Sequence, residues 1–252
     1  MCRDLLPVLH HDPWVDTQKC TYKDNSKIEK KYLLRDYTLA YLQEHFVCGK
    51  QFGSPPTPIL ALSKVLQKLQ TKPSIILNFD IKYDPQYTHP SNKFLRAITK
   101  ITKQYKVSRY IVSSSHPQLI RTFQTQDNII TLLDFPNFGM DSNRMSNFWV
   151  ALQTKIGAQL GFVDYIKIIE SVQADGISLP YQIISKGVLY SIQSKGYLVQ
   201  VWTPNEPQHL KRFCTWPIDI LISDYPHLAP CFSKELQRTA KQRIIPHFSP
   251  SP

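Results

Sequence analysis

No apolar run in this 252-residue sequence approaches the ~20 residues that a helix needs to cross a bilayer. A signal peptide is also absent, because the start MCRDLLPVLHHDP holds one arginine and too short an apolar stretch. Internal repeats and low-complexity segments are missing as well. We therefore expect a soluble segment without a membrane span. The compartment stays open between cytoplasmic and periplasmic or secreted, since a leader could lie upstream.

Cysteine is scarce, and its spacing matches no metal-binding motif. The sequence has five cysteines and no CxxC pair: Cys2, Cys20, Cys48, Cys214 and Cys231. An odd number without that spacing argues against a zinc site and against a disulfide framework. Buried free thiols are the favoured interpretation. A single bridge between Cys20 and Cys48 is the alternative for an exported protein.

Acidic residues are outnumbered by basic ones. Lys and Arg total 30 against 19 Asp and Glu, which gives a formal charge of +11 and an isoelectric point near 9.4. This balance favours anionic partners such as phosphate esters, lipid headgroups or nucleic acid. The tightest basic groups, at 27–31 and 234–243, are interpreted as solvated faces, and no recognised nucleic-acid motif accompanies them. We therefore predict no nucleic-acid partner.

Short apolar runs alternate with helical patterns along most of the chain. Nearly continuous apolar runs of this length are typical of strands that are buried on both faces. The predicted strands are 5–10, 75–81, 109–113, 128–133, 175–179, 197–203 and 218–223. The predicted helices are 39–46, 59–69, 92–105, 117–123, 181–194 and 207–213. The alternation predicts βα units and a parallel sheet, and therefore an α/β fold.

No linker interrupts the alternation, so we predict a single domain over residues 1–240 and a flexible tail at 241–252. The polar, lysine-rich stretch within about 13–55 is interpreted as an insertion, and 135–147 as a long irregular connection. A (β/α)8 barrel places its site at the carboxyl ends of its strands. Those ends are polar here: Asp80-Ile81-Lys82, Ser113-Ser114-Ser115, Trp202-Thr203 and Ser223-Asp224. If the strand at 5–10 belongs to an insertion hairpin, however, only six barrel strands remain.

Six segments, in this order, resemble the glycerophosphodiester phosphodiesterase family: PVLHHDPWVD, NFDIKYD, YIVSSSHPQLI, ADGISL, YLVQVWTPNEPQHLKRF and IDILISDYP. The likeness covers residues 4–228, and VWTPNEP followed by ISDYP is its most specific part. It implies a TIM (β/α)8 barrel of the phosphatidylinositol-phosphodiesterase-like type, incomplete here with about six barrel strands. It also implies metal-dependent hydrolysis of glycerophosphodiesters, in lipid metabolism, to glycerol 3-phosphate and an alcohol.

The resemblance makes His11 the general acid that protonates the leaving alkoxide. An imidazole suits this role because its usual pKa of ~6.5 lets it exchange a proton near neutrality. Asp12 would orient the ring. His10 is the weaker candidate, because a neighbouring residue on a strand faces the other way. The alternative is that His11 is a loop histidine without a role.

Asp80 and Lys82 match an acidic-x-lysine motif of the family, although aspartate replaces its glutamate. The resemblance implies that Asp80 binds a hard divalent cation, Mg²⁺ or Ca²⁺, and that Lys82 neutralises a phosphate oxygen. The alternative is an ion pair that caps a strand. Trp202 would form an apolar wall beside the glycerol moiety, with core packing as the alternative. We expect Asp224 to cap the closing turn of the last strand.

The sequence departs from the family at two motifs. A His-Arg-Gly strand and a Glu-x-Asp strand are missing, and with them one catalytic histidine and two metal carboxylates. We therefore expect weak metal binding, doubtful activity and self-association through exposed sheet edges. A longer natural product, a gene fragment and a barrel completed by oligomerisation are the three explanations. The functional alternative is a catalytically dead barrel that binds phosphate or lipid headgroups.

Overall fold

The computed structural model describes residues 1–49, 55–70, 75–135, 163–231 and 244. These residues form two compact units, one built from 1–77 and 81–108, the other from 78–80 and 109 onward. Most of the predicted connection at 135–147, the basic group at 234–243 and the tail, apart from Ile244, lie outside the described residues. The single domain over 1–240 stays a prediction.

The first unit contains two small antiparallel ribbons and three helices. Strand β1 (Val8–Leu9) pairs with β4 (Leu60–Ala61), and β2 (Cys20–Tyr22) pairs with β3 (Phe46–Cys48). The helices are α1 (Leu39–His45), α2 (Leu62–Leu69) and α3 (Ser91–Gln104). Because β1 pairs with β4 in a ribbon of its own, the strand predicted at 5–10 is not part of the six-stranded sheet; its partner lies beyond β2, α1 and β3, so the two strands do not form a hairpin.

A core of its own fills the first unit. The buried side chains come from the segments around both ribbons and α1, including Val15, Ile28, Leu42 and Phe46. Tyr22 stacks on Phe46 with ring centroids 5.3 Å apart. The lysine-rich stretch that looked like a loop thus carries a buried apolar face, which explains why an insertion of this size is ordered.

The second unit is built on a six-stranded sheet whose strand order is β10-β9-β8-β7-β6-β5. Its strands, in chain order, are β5 (Leu77–Asp80), β6 (Tyr110–Ser114), β7 (Ile129–Asp134), β8 (Gly176–Pro180), β9 (Leu198–Trp202) and β10 (Ile220–Leu221). All six predicted barrel strands overlap these elements. The sheet is parallel, and the α/β class with about six TIM-barrel strands is confirmed.

Helices follow the strands of this sheet: α4 (Pro117–Gln124), α5 (Tyr165–Val172), α6 (Lys186–Gln193) and α7 (Pro207–Cys214). Sequence analysis missed α5, although Tyr165, Ile169 and Val172 are buried at helical spacing. Asp164 caps α5 by accepting a hydrogen bond from the Lys167 amide at 3.1 Å. None of the helices in the described part of the chain combines the length and apolarity that a bilayer crossing requires.

One side-chain hydrogen bond shows that the sheet curls. The Asn78 amide donates to the Gln200 side-chain oxygen at 2.7 Å, although β5 and β9 have three strands between them. Neighbouring strands lie about 4.8 Å apart, so a flat sheet would separate these two strands by about 19 Å. The inner face is therefore concave, as a barrel wall requires.

The prediction of buried free thiols is wrong for four of the five cysteines. Disulfides join Cys20 to Cys48 and Cys214 to Cys231, so the alternative bridge is present together with a second one. Cys2 alone is free and buried. Burial raises the pKa of its thiol to about 11, which keeps it protonated. Sequence separations of 28 and 17 residues explain the error, because only the tertiary fold brings these pairs together.

We expect Gly176→Ala to destabilise the second unit. A Cβ at Gly176 would overlap the Leu198 backbone on β9 inside van der Waals distance. Overpacking of this kind costs about 1–3 kcal/mol. Urea unfolding followed by circular dichroism measures the change.

Gly187→Ala is the matched control. A Cβ there would meet only the Ser185 hydroxyl at 3.8 Å, so the free energy of unfolding should stay constant or rise by up to about 1 kcal/mol. Equal effects of the two substitutions would refute the steric argument.

Candidate functional site

A histidine–carboxylate pair follows β1 in the first unit. The His11 side chain is 64% exposed, and its Nδ1 lies 3.0 Å from Asp12 Oδ1. The hydrogen bond from His11 holds the pKa of the Asp12 carboxyl below its usual value. Because the carboxylate accepts, Nδ1 carries the proton and Nε2 is the nitrogen that can exchange one with a substrate. The pair therefore has the arrangement of an oriented acid or base.

His10 has a different environment from its neighbour. Its Nε2–H donates to the Trp14 carbonyl at 2.9 Å, and its side chain is half-buried. Burial lowers the pKa of His10, so its ring is neutral near neutral pH. The two imidazoles thus differ in exposure although both lie beyond the end of β1, and of the two His11 is the one that is open to solvent.

An aromatic and cationic cluster that sequence analysis did not identify lies next to these residues. The Lys31 ammonium sits 4.0 Å from the centroid of the Trp14 ring. Tyr87 meets the same ring edge-on, with centroids 5.8 Å apart. An isolated bridge between Trp14 and Leu33 fixes the backbone. This rigid cluster supports the segment that carries His10 and His11.

In the second unit, buried polar side chains form a network across the concave face of the sheet. Gln200, which is 1% exposed, accepts from Asn78 and donates to the Ser178 hydroxyl at 2.8 Å. The Ser113 hydroxyl donates to the Asn78 side-chain oxygen at 3.4 Å. No periodic pattern predicts this network, since these residues sit inside otherwise apolar strands.

Asp80 and Trp202 lie on the same face of the sheet as this network. Each lies two residues beyond a network member, Asp80 after Asn78 on β5 and Trp202 after Gln200 on β9, and therefore on the same face. Asp80 is exposed, and Trp202 is half-buried with its indole N–H lacking a hydrogen-bond partner among the described residues. The Asp80 carboxylate and the Trp202 indole thus lie on the same face of the sheet, at the carboxyl ends of their strands.

Lys82 belongs to the first unit and is exposed. Exposed Asp80 and Lys82 alternate with the buried side chains of Ile81 and Tyr83. Lys82 lies beyond the end of β5, so the shared direction of the carboxylate and the ammonium stays a prediction.

The two most specific segments of the sequence meet at the last strand of the sheet. The Asn205 side-chain amide donates to Asp224 Oδ2 at 2.7 Å, while its oxygen accepts from the Asp224 amide at 3.0 Å and from the Ser223 hydroxyl. Asp224 therefore caps the closing turn, as predicted. These hydrogen bonds stabilise the loop that follows the last strand.

The described residues fit a hard divalent cation only in part. Asp80 offers one carboxylate at the strand ends, but none of the described groups of three His, Cys, Asp or Glu side chains includes it. An Mg²⁺ or Ca²⁺ ion takes six or more oxygen ligands. An ion held by Asp80 alone would keep most of its water.

Comparison with known proteins gives the family. The sequence model of the glycerophosphoryl diester phosphodiesterase family matches residues 1–228. No curated protein matches the chain. Similar solved structures include a candidate glycerophosphoryl diester phosphodiesterase from Silicibacter pomeroyi DSS-3, with 14% identity and a TM-score of 0.72 over 98% of this chain and 81% of that one.

Two further structures resemble the chain. The Oleispira antarctica phosphodiesterase in complex with the product sn-glycerol-3-phosphate has 15% identity and a TM-score of 0.65 over 96% of this chain and 82% of that one. A glycerophosphodiester phosphodiesterase from Parabacteroides distasonis ATCC 8503 has 13% identity and a TM-score of 0.55, and the match covers 94% of this chain and 79% of that one. At such identities these likenesses establish the fold.

Gln200→Leu should lower the free energy of unfolding by about 1–3 kcal/mol, because Asn78 and Ser178 would lose buried partners. Urea denaturation measures the loss. Gln208→Leu, at an exposed position of α7, is the control and should change stability by less than about 0.5 kcal/mol. A Gln200 variant as stable as the control would contradict a structural role for the network.

Proposed function

The chain belongs to the glycerophosphoryl diester phosphodiesterase family, a family of phosphodiesterase enzymes, and we propose that it hydrolyses glycerophosphodiesters in lipid metabolism. The products are glycerol 3-phosphate and an alcohol. The observation that carries the proposal is the exposed His11–Asp12 pair within a family match that spans residues 1–228.

His11 is the proposed general acid. As the phosphorus–oxygen bond to the alcohol breaks, negative charge develops on the departing oxygen. A proton from the His11 ring turns this poor leaving group into a neutral alcohol. Asp12 keeps the ring oriented, because its carboxylate accepts the hydrogen bond from Nδ1 at 3.0 Å.

Lys82 and Trp202 are the proposed substrate-binding residues. The exposed Lys82 ammonium neutralises a phosphate oxygen as a point charge. The half-buried Trp202 indole offers an apolar wall beside the glycerol moiety. The net charge of +11 favours binding of such anionic diesters.

Asp80 is the proposed ligand of a divalent cation, either Mg²⁺ or Ca²⁺, that is weakly held. The family is generally metal-dependent, which supports a role for such an ion. When bound, the ion would neutralise charge on the phosphoryl oxygens. Weak binding follows from the single carboxylate, since each missing oxygen ligand is left to water.

A second candidate function is favoured by the same shortage of carboxylates. A barrel that binds phosphate or lipid headgroups needs Lys82 and the net positive charge, but neither His11 nor a tightly bound ion. This alternative predicts substrate binding without turnover.

Self-association and compartment also stay proposals. β5 and β10 are the terminal strands of the sheet order, and their outer edges are where a second copy could pair. Sedimentation velocity tests this, with a single monomeric species as the contrary result.

The two disulfides favour an oxidising compartment, periplasmic or extracellular, over the cytoplasm.

His11→Asn should reduce the release of glycerol 3-phosphate from glycerophosphocholine by about 10²–10⁴-fold, because general acid catalysis is lost. The assay is run with Mg²⁺ or Ca²⁺ present. His227→Asn changes an exposed histidine and should leave the rate unchanged. Equal rates for the wild type and His11→Asn would remove His11 from the mechanism, and binding without any turnover would favour the second candidate.

Asp80→Asn should raise the Mg²⁺ or Ca²⁺ concentration that gives half-maximal activity by at least about tenfold, since the neutral amide is a poorer ligand. Metal titration of the chelator-treated chain measures the shift. Asp127→Asn, at another exposed aspartate, is the control and should not alter the titration. Identical curves for all three proteins would exclude Asp80 as a ligand.

A further inference from the structure

The first unit gathers one histidine and two cysteines at a place that the proposed reaction does not use. The ligand atoms of His10, Cys20 and Cys48 all lie within 4.8 Å of one another. Cys20 and Cys48 form a disulfide in the structure. We propose that, once this disulfide is reduced, the three side chains bind a thiophilic divalent cation such as Zn²⁺.

The spacing of the ligand atoms suits a tetrahedral ion. With Zn–S distances of about 2.3 Å, two sulfurs at a tetrahedral ion lie about 3.8 Å apart. The two sulfurs are bonded to each other in the structure, so the 4.8 Å limit describes the distance from the His10 nitrogen to the sulfurs. With Zn–N of about 2.0 Å and Zn–S of about 2.3 Å, nitrogen and sulfur lie about 3.5 Å apart, so the nitrogen has to approach by up to about 1.3 Å while the sulfurs separate. Changes of side-chain rotamer after reduction would provide these movements.

The backbone holds both cysteines in place without help from the disulfide. They are directly opposite each other in the β2–β3 ladder, which has two further residue pairs. Cys48 also exchanges two backbone hydrogen bonds of 2.8 Å with Thr57, and the Cys20 amide donates to the Asp16 carbonyl at 2.8 Å. Reduction therefore releases two thiols that remain neighbours.

His10 keeps one ring nitrogen for a metal while the other is held by the backbone. Its Nε2–H donates to the Trp14 carbonyl, which leaves the lone pair on Nδ1 available. Ligating histidines commonly use their second nitrogen in this way. The ring is also neutral near neutral pH, because burial lowers its pKa. A metal would therefore not have to displace a proton from His10.

Binding of Zn²⁺ at this site takes two steps, reduction of the disulfide and deprotonation of the two thiols. A phosphine reductant gives two electrons to the S–S bond and takes an oxygen atom from water, which yields the phosphine oxide and two thiols. Binding of Zn²⁺ then displaces one proton from each thiol, so the ion and two thiolates form a neutral unit. Cys20 is 2% exposed, whereas Cys48 and His10 are half-buried, which leaves one side open for entry of the ion.

Cobalt titration of the reduced full-length chain tests the proposal. The chain is reduced with a phosphine, desalted without oxygen and titrated with Co²⁺, whose thiolate complexes absorb visible and near-ultraviolet light. We expect about one equivalent to bind with a thiolate charge-transfer band, and Zn²⁺ to displace it. The oxidised chain should show no band. A reduced wild-type chain without the band would overturn the proposal.

Matched variants locate the ligands. Cys48→Ser should abolish the band, and His10→Gln, which leaves both cysteines intact, should weaken Co²⁺ binding at least about tenfold. His227→Gln is the histidine control, and the Cys214→Ser/Cys231→Ser double variant removes the other disulfide; both should bind Co²⁺ like the wild type. Unaltered binding by His10→Gln, or loss of binding in the double variant, would place the ion elsewhere and refute the site. Far-ultraviolet circular dichroism confirms that each variant is folded.

Discussion

The hydrogen bond between the side chains of Asn78 and Gln200 is the contact on which the second unit depends. It joins two strands that are not neighbours in the sheet, so it can form only when the sheet curls. Both amides need partners because a buried amide without one costs about 1–3 kcal/mol. A flat or slipped sheet would lose those partners. The polar network therefore specifies one curvature and one register, while the apolar core supplies most of the stability.

The order and type of the barrel strands could be predicted from sequence because each is a short apolar run with turn residues at its ends. The first predicted strand lies outside the barrel sheet, and its partner β4 could not be identified from the sequence. Helix α5 was missed although Asp164 and the spacing of its apolar residues signal it. The helix predicted over 59–69 begins only at Leu62, because Leu60 and Ala61 pair with β1 instead. Tertiary pairing overrode local propensity there.

In the candidate site too, a contact between sequence neighbours could be predicted, whereas a contact between distant residues could not. His11 and Asp12 are consecutive residues, so their contact could be expected from the sequence alone. Asn78 and Gln200 are 122 residues apart, and neither belongs to a recognisable pattern. The Cys214–Cys231 disulfide was not predicted for the same reason, and the Cys20–Cys48 bridge was only the alternative to free thiols. The spacing of cysteines along the chain does not predict which of them pair, because the pairing of β2 with β3 brings Cys20 and Cys48 together.

The bond between Cys20 and Cys48 closes a covalent ring around a stretch that holds four lysines, Lys23, Lys27, Lys30 and Lys31. A protease that cuts inside the ring breaks one peptide bond but releases no fragment, because the sulfur bridge still connects both sides. The enclosed segment can thus be nicked, or even opened to create new chain termini, while the neighbouring strands keep their pairing. Covalent closure makes this part of the molecule tolerant of backbone cleavage in a way that an unbridged loop of equal length is not.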